Sequence, residues 1–235
     1  EGGAGRASRA RGLQGNVGLF PVCGGGKTGA ILFGRWPAAL QAEFLYCTGL
    51  GSGIGSIETF ADRSSFGTEA VCRFRRVGMR VLVIQENTSF RAPNGAPELQ
   101  HSVEYSFPIS VLASLPIEGE RDGTVLVDAD ALLLRDAFDL LSQLRRPTRA
   151  VGGVMVREPS SKAADWRLDK DRSVIDLEHT GSFPLNTEVE MLLTFATDSE
   201  SDLNQPDAHA LSVREHHSFL ALPAPGYEAL EQDPR

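Results

Sequence analysis

Apolar and polar residues alternate along several short segments of the chain, and this alternation predicts β-strands. The clearest example is residues 70–85, where apolar and charged side chains alternate on both sides of Gly78. A period of two places successive side chains on opposite faces of a sheet. We therefore expect Ala70–Val77 and Arg80–Gln85 to form a hairpin that turns at Gly78 and Met79.

Further segments predict strands because they are short, apolar and bounded by turn-forming residues. They are Val17–Cys23, Ala30–Gly34, Glu43–Thr48, Gly123–Val127, Val174–Leu177, Thr187–Ala196 and Ala210–Leu222. The first two flank Gly24–Gly29, whose glycines permit a chain reversal, so we expect a second hairpin there.

Two segments change to a helical period. Leu99, Val103, Phe107 and Val111 recur every fourth residue, which predicts a helix over Pro97–Leu112 that Pro108 kinks or ends. The apolar residues of Ala131–Leu144 predict a second helix.

We expect Asp130 to cap the second helix and Pro147 to end it. The pattern therefore predicts an α+β fold, strand-rich, with a mostly antiparallel sheet and about two helices.

Length and composition indicate one domain of moderate size or two small ones, and they argue against some partners. The 235 residues are 41% hydrophobic, and their formal charge is -8, which argues against nucleic-acid or membrane-surface binding. The longest apolar runs are far shorter than the roughly 20 residues of a membrane span. Residues 1–16 are small, polar and rich in Gly and Arg, so we expect a disordered lead-in before a domain over residues 17–235.

The ends of the chain predict a fragment. The chain opens at Glu1 rather than Met, and its last residues, up to Arg235, belong to no predicted element. We therefore expect the parent protein to continue past Arg235.

Two glycine-rich segments resemble phosphate-binding loops incompletely. Gly24–Thr28 has the end of a P-loop, but Pro21 stands where its first glycine is needed, and a strand rather than a helix comes after it. The segment Gly49–Ser56 lacks the third glycine of a dinucleotide fingerprint, because Ile54 and Ser56 occupy the two possible positions. A hairpin turn and a surface loop are the favoured interpretations.

Asp128 and Asp130 come after the predicted strand Gly123–Val127 as an Asp-x-Asp pair. Haloacid-dehalogenase-like phosphatases present a nucleophile and an acid in this way, and many glycosyltransferases hold a divalent cation with such a pair. A metal-dependent phosphotransfer enzyme centred on these carboxylates is therefore one alternative. The chain has no Gly-Asp dipeptide and no parallel-sheet rhythm, so a strand end and a helix cap are favoured.

Histidines and cysteines supply weak metal candidates. Glu98, His101 and Glu104 would share a helical face, but no second copy of this pattern exists. His216 and His217 adjoin in a predicted strand and should point to opposite faces, so they should not chelate one ion together. We expect surface or interface histidines.

Three cysteines, Cys23, Cys47 and Cys72, form no C-x-x-C pair, and we expect buried thiols. The sequence thus assigns no catalytic, cofactor-binding or metal-binding residue.

An ordered set of short motifs runs through the predicted domain. It comprises Glu43–Tyr46, Leu50–Ser56, Asp62-Arg63, Arg73–Gly78, Val81–Val83, Val125–Asp128, Phe183–Glu190, Leu193–Phe195, His216–Phe219, Leu222-Pro223 and Asp233–Arg235. In this order, the set resembles the N-terminal, non-catalytic domain of a bacterial family of large zinc-dependent metalloproteases.

The resemblance implies that this chain is an accessory domain of a peptidase. In that family an H-E-x-x-H helix in a later domain holds the zinc, and none of the five histidines here stands in that pattern. The implied partner is the catalytic domain of the same polypeptide, and the implied location is outside the cytoplasm, periplasmic or secreted.

One hypothesis concerns the contact between these two domains. We expect the strand that carries His216 and His217 to contact the catalytic domain, because it is the predicted strand nearest to the C-terminal end of the chain. The main alternative is a stand-alone module that binds glycans or proteins through its glycine-rich loop.

Overall fold

The fold is known from a computed structural model, which describes most of the chain. The described residues are 18–23, 30–33, 42–55, 61–90, 92, 95–121, 123–145, 148–151, 154–157, 165–201, 203, 205–224 and 226–228. The expected lead-in over residues 1–16 and the turn over residues 24–29 lie outside them.

Twelve strands occur within the described residues. They are β1 Val22–Cys23, β2 Ala30–Phe33, β3 Phe44–Leu50, β4 Phe66–Val77, β5 Arg80–Gln85, β6 Ser110–Arg121, β7 Thr124–Asp128, β8 Thr148–Val151, β9 Val154–Arg157, β10 Arg167–Ser182, β11 Asn186–Ala196 and β12 Ala210–Ala221. Three short helices accompany them: α1 Pro97–Ser106, α2 Asp130–Leu133 and α3 Leu140–Arg145.

Ten of the strands form one antiparallel sheet. Their order is β1-β2-β7-β6-β5-β4-β3-β12-β11-β10, and the sheet curls into a half-barrel. Strands β8 and β9 form a separate hairpin. Strand β3 lies near the middle, between β4 and β12, so an early segment of the chain pairs with the last strand.

The expectation of an α+β domain is wrong, because the domain is mostly β. Helix α1 ends at Ser106, shortly before Pro108, and the expected helical position Val111 lies in β6. Leu99, placed on the expected buried stripe, is 53% exposed. The four-residue spacing of apolar residues continues into β6 by coincidence. Within β6, buried residues such as Leu115 and Ile117 alternate with residues on the other face of the sheet.

The second expected helix is interrupted. Residues 134–139 separate α2 from α3, and Asp139 has a φ of 62°, outside the helical region. Asp130 is the first helical residue and does not cap α2 with its side chain. Asp136 instead accepts hydrogen bonds of 2.7 Å from the N–H groups of Leu140 and Leu141, and it thereby caps α3.

The strand predictions are confirmed in outline. Each predicted strand overlaps an observed one, and both expected hairpins pair as antiparallel strands. The strand β6 and the hairpin of β8 and β9 were not predicted.

Four aromatic rings form a cluster in the core. Phe44 and Phe74 stack with ring centroids 4.7 Å apart, and Phe20 meets both edge-on. Phe219 of β12 joins the same cluster. Residues on β3, β4 and β12 thus share one core with a residue that precedes β1.

Residues 18–20, which precede the edge strand β1, bond to residues beside the opposite edge strand, β10. The N–H of Leu19 donates to the carbonyl of Phe183 over 2.7 Å, and the N–H of Phe20 donates to the Thr187 hydroxyl over 3.0 Å. Gly18 comes so close that a Cβ there would lie 2.5 Å from the carbonyl carbon of Ser182. Only glycine allows this approach of backbone to backbone.

Candidate functional site

The Asp-x-Asp pair forms a turn between β7 and α2. Oδ1 of Asp128 accepts a hydrogen bond of 2.9 Å from the N–H of Asp130, and both residues are half-buried. This is an Asx-type turn, in which the carboxylate satisfies the backbone of the next element. The strand end was predicted correctly, whereas Asp130 does not cap α2, and its N–H is instead bonded by Asp128.

The glycine-rich loop continues the pairing of β3. The N–H of Gly51 donates to the carbonyl of Arg214 over 2.8 Å, and Ser52 Oγ accepts from the N–H of Arg214 over 2.8 Å. A Cβ on Gly51 would lie 2.5 Å from Oε1 of Glu190, so glycine permits this packing. Asp62 is exposed in the next turn, where its carbonyl accepts from the N–H of Ser65.

The metal candidates of α1 lie on an exposed helix. Glu98 and His101 are both exposed, and the His101 ring lies 4.4 Å from that of Tyr105. Within the described residues, no group of three or more His, Cys, Asp or Glu side chains is arranged to hold a metal ion.

His216 and His217 point to opposite faces of β12, as predicted. His216 lies on the outer face, whereas His217 is fully buried on the inner face. The expectation of two surface or interface histidines is therefore wrong for His217. The hypothesis that this strand contacts another domain stays a prediction.

His217 belongs to a buried polar network that joins β3, β12 and the segment between α2 and α3. The Tyr46 hydroxyl lies 2.8 Å from Nδ1 of His217, and Arg135 donates to the same hydroxyl over 3.1 Å. Nε2 of His217 lies 3.3 Å from Oε1 of Glu215. Tyr46, His217 and Glu215 are each at most 1% exposed.

The donors and acceptors assign the protons of this network. A guanidinium can only donate, so the Tyr46 oxygen accepts from Arg135, and its hydroxyl donates to Nδ1 of His217 when that ring is neutral. In that tautomer the ring N–H is at Nε2, which lies 3.3 Å from Oε1 of Glu215 without hydrogen-bond geometry. Burial raises the pKa of Tyr46 strongly, which keeps its phenol protonated.

The Glu215 carboxylate joins the sheet to the helical segment. Its two oxygens lie 3.2 Å and 3.4 Å from the N–H nitrogens of Ala137 and Phe138, which both donate to it. These residues occupy the break between α2 and α3. The carboxylate therefore binds backbone groups that a continuous helix would have used itself.

A second polar cluster lies on the outer face of β11 and β12. His216 contacts Glu188 through Nε2 and Glu190 through Nδ1, each over 2.8 Å. Ser218 donates to the same Glu188 carboxylate. Nearby, Arg214 forms an ion pair with Asp176 of β10, over 2.5 Å.

The two carboxylates keep His216 protonated. The hydrogen bonds that His216 donates to Glu188 and then to Glu190 raise the pKa of His216 to about 9. Burial pushes the pKa of Glu188 upward, but hydrogen bonds from His216, Asn186 and Ser218 outweigh it and hold this pKa below its ordinary value. The cluster is therefore a charged, internally bonded connection between two strands.

The cysteines agree in part with the expectation of buried thiols. Cys72 is buried, and burial raises its pKa to about 12, so it stays a thiol at neutral pH. Cys47 is half-buried, and burial raises its pKa as well. The side chain of Cys23 lies outside the described residues.

An outer groove of about 750 Å³ separates α1 from the sheet. Arg73 and Arg75 of β4 line it together with Glu86, the residue after β5. Aromatic residues Phe90, Tyr105 and Phe107 line it as well. No sequence pattern indicated the groove, because it is formed where α1 stands away from the sheet.

Across the residues that the structure describes, no helix is long and apolar enough to cross a membrane.

Comparison with known proteins places most of the chain in one family. The model of the family DUF5117, described as a domain of unknown function, matches residues 64–235. No curated protein and no solved structure matches the chain.

Proposed function

This chain belongs to the DUF5117 family, a domain of unknown function, and we propose that it is the non-catalytic N-terminal domain of a zinc-dependent metalloprotease. In this proposal a downstream domain of the same polypeptide binds zinc and hydrolyses peptide bonds. The described domain packs against it as an accessory unit.

The observation that carries the proposal is where the metalloprotease-like motifs lie in the fold. Glu43–Tyr46, Arg73–Val83 and His216–Phe219 lie on β3, on β4 and β5, and on β12, which are consecutive neighbours in the sheet. The motif Phe183–Glu190 extends into β11, the next strand. An ordered set of weak motifs that builds one contiguous structure supports common descent more strongly than scattered matches.

The roles of the histidines are consistent with an accessory domain. His217 is bonded inside the core to Tyr46, and His216 is bonded between Glu188 and Glu190. Both side chains therefore stabilise contacts between strands. The zinc of the proposed parent would be held by an H-E-x-x-H helix, and no histidine of this chain stands in that pattern.

The coding region on the 3′ side of the Arg235 codon tests the proposal. We expect an H-E-x-x-H on a predicted helix there, and about one zinc ion per purified full-length chain. A stop codon directly after Arg235, or a full-length protein without the motif, would contradict the proposal.

The groove beside α1 favours the second candidate, a stand-alone binding module. In that case the binding surface is the groove rather than the glycine-rich loop, because Gly51 and Ser52 bond to Arg214. The two candidates predict different parent proteins. The accessory domain requires a catalytic domain in the same polypeptide, whereas the binding module does not.

A further inference from the structure

The groove beside α1 combines a free cation with an apolar rim. Arg75 is exposed, and it forms no ion pair or side-chain hydrogen bond with any described residue. Its neighbour Arg73 is bonded to Glu86. Arg75 is thus the arginine of the groove that remains available to a bound carboxylate.

Exposed apolar side chains lie along the same groove. Tyr105 is 80% exposed, Phe90 is 51% exposed, and Ile109 is 43% exposed. The Phe90 ring stacks on Phe107 with centroids 3.9 Å apart, and both rings belong to the aromatic wall of the groove. A cluster of exposed apolar residues with a polar border is typical of an interaction site.

Size and charge restrict the occupant. A volume of about 750 Å³ accommodates a few residues of a peptide, within the range of ligand pockets. Two arginines and the carboxylates of Glu43 and Glu86 line the groove, so Arg75 matches one carboxylate, whereas this balanced lining and the overall charge of -8 disfavour a polyanion. The aromatic wall requires an apolar group beside the carboxylate.

We propose that this groove binds a short polypeptide segment that presents one acidic side chain next to an aromatic or aliphatic one. Arg75 binds the carboxylate, and the wall of Phe90, Phe107 and Tyr105 contacts the apolar side chain. The inference goes beyond the proposed accessory role, because it holds whether or not the chain continues into a catalytic domain.

Fluorescently labelled hexapeptides test the binding of the 235-residue chain. Each peptide contains one acidic residue and one aromatic or aliphatic residue, and the set covers every separation between the two within six residues. In a matched set, Asn or Gln replaces the acidic residue. We expect the best acidic peptides to bind about tenfold more tightly than their amide counterparts, which is typical of one hydrogen-bonded charge. Failure of every acidic peptide to bind better than its amide would overturn the proposal.

Variants locate the binding in the groove. R75A should abolish the preference for acid over amide, and R75K should retain part of it. R63A is the matched control, because Arg63 is another exposed arginine and lies in the turn before β4, away from the groove lining. A preference that survives R75A, or that R63A removes equally, would overturn the assignment. Thermal unfolding of each variant confirms that it is folded.

Discussion

At the scale of single residues, the buried carboxylate of Glu215 determines how the helical segment meets the sheet. It accepts hydrogen bonds from two backbone N–H groups and lies at ion-pair distance from His217. A buried charge is tolerated only with such partners, and each buried donor left unpaired costs about 1–3 kcal/mol.

Replacement of Glu215 by alanine should therefore destabilise the domain. We expect Glu215→Ala to lower the free energy of unfolding by about 3 kcal/mol, because the Phe138 N–H loses its acceptor, that of Ala137 keeps only the Arg135 carbonyl, and a cavity forms. Urea denaturation measures the change. Glu178→Ala, at an exposed position of β10, is the control and should change stability by less than about 0.5 kcal/mol. Equal effects of the two variants would refute this role of Glu215.

The outer histidine predicts a pH dependence. The pKa of His216 is raised from 6.5 to about 9 in the folded state. The stabilisation from its protonated form is therefore complete below about pH 6.5, and it is lost as the pH rises through about 9.

His216→Gln should consequently cost stability mainly at low pH. We expect a loss of roughly 1 kcal/mol near pH 6, a modest value because the side chain is 39% exposed and water screens the pair. The loss should shrink towards about pH 9.5. Denaturation of both proteins at several pH values measures it, with His209→Gln in an exposed loop as the control. A loss that grows with pH would contradict the assignment.

At this scale, the sequence predicted orientation but not partners. The period of two correctly placed His216 and His217 on opposite faces. It could not indicate that His217 bonds to Tyr46, because strand order brings together residues far apart in the chain. The sequence also could not indicate that Arg75 is exposed in a groove, since this depends on where α1 packs.

At the scale of elements, helices were overestimated for a physical reason. Apolar residues spaced by four fit an amphipathic helix, yet Pro108 lacks the N–H needed to continue one. The interruption between α2 and α3 depends on Asp136 and on the distant Glu215, which together bind four backbone N–H groups. Of these two carboxylates, only Asp136 is close to α3 in the sequence, so a local pattern cannot indicate the role of Glu215.

The cap of α3 provides the test at this scale. We expect Asp136→Ala to lower the free energy of unfolding by about 1–2 kcal/mol, because the N–H groups of Leu140 and Leu141 lose their acceptor. Urea denaturation measures the loss, with Asp171→Ala at an exposed position of β10 as the matched control. A loss no larger than that of the control would contradict the stabilisation of α3 by Asp136.

At the scale of the whole molecule, the folded unit is larger than the family match. The match begins at residue 64, yet β3 lies before it in the chain and between β4 and β12 in the sheet. Phe20 and Phe44 contribute rings to the same core as Phe74 and Phe219. Most strand segments were predicted from the sequence, but this order was not, because pairing between distant segments leaves no local signal.

A chain that starts at residue 64 should therefore not fold alone. Without β3, the strands β4 and β12 lose their shared neighbour, and the aromatic core loses two rings. We expect no cooperative thermal unfolding of residues 64–235, and recovery of a transition on co-expression with residues 1–63. Circular dichroism during heating measures both. A cooperative transition of the shorter chain at the temperature of the longer one would refute this definition of the domain.

The most direct measurement of the central claim is peptide hydrolysis by the full-length protein beside that of the 235-residue chain. We predict that the full-length protein cleaves an unfolded protein substrate such as casein and loses this activity when a chelator removes its zinc. We predict that the 235-residue chain cleaves none. Hydrolysis by the shorter chain, or a full-length protein that hydrolyses no peptide with zinc supplied, would contradict the account.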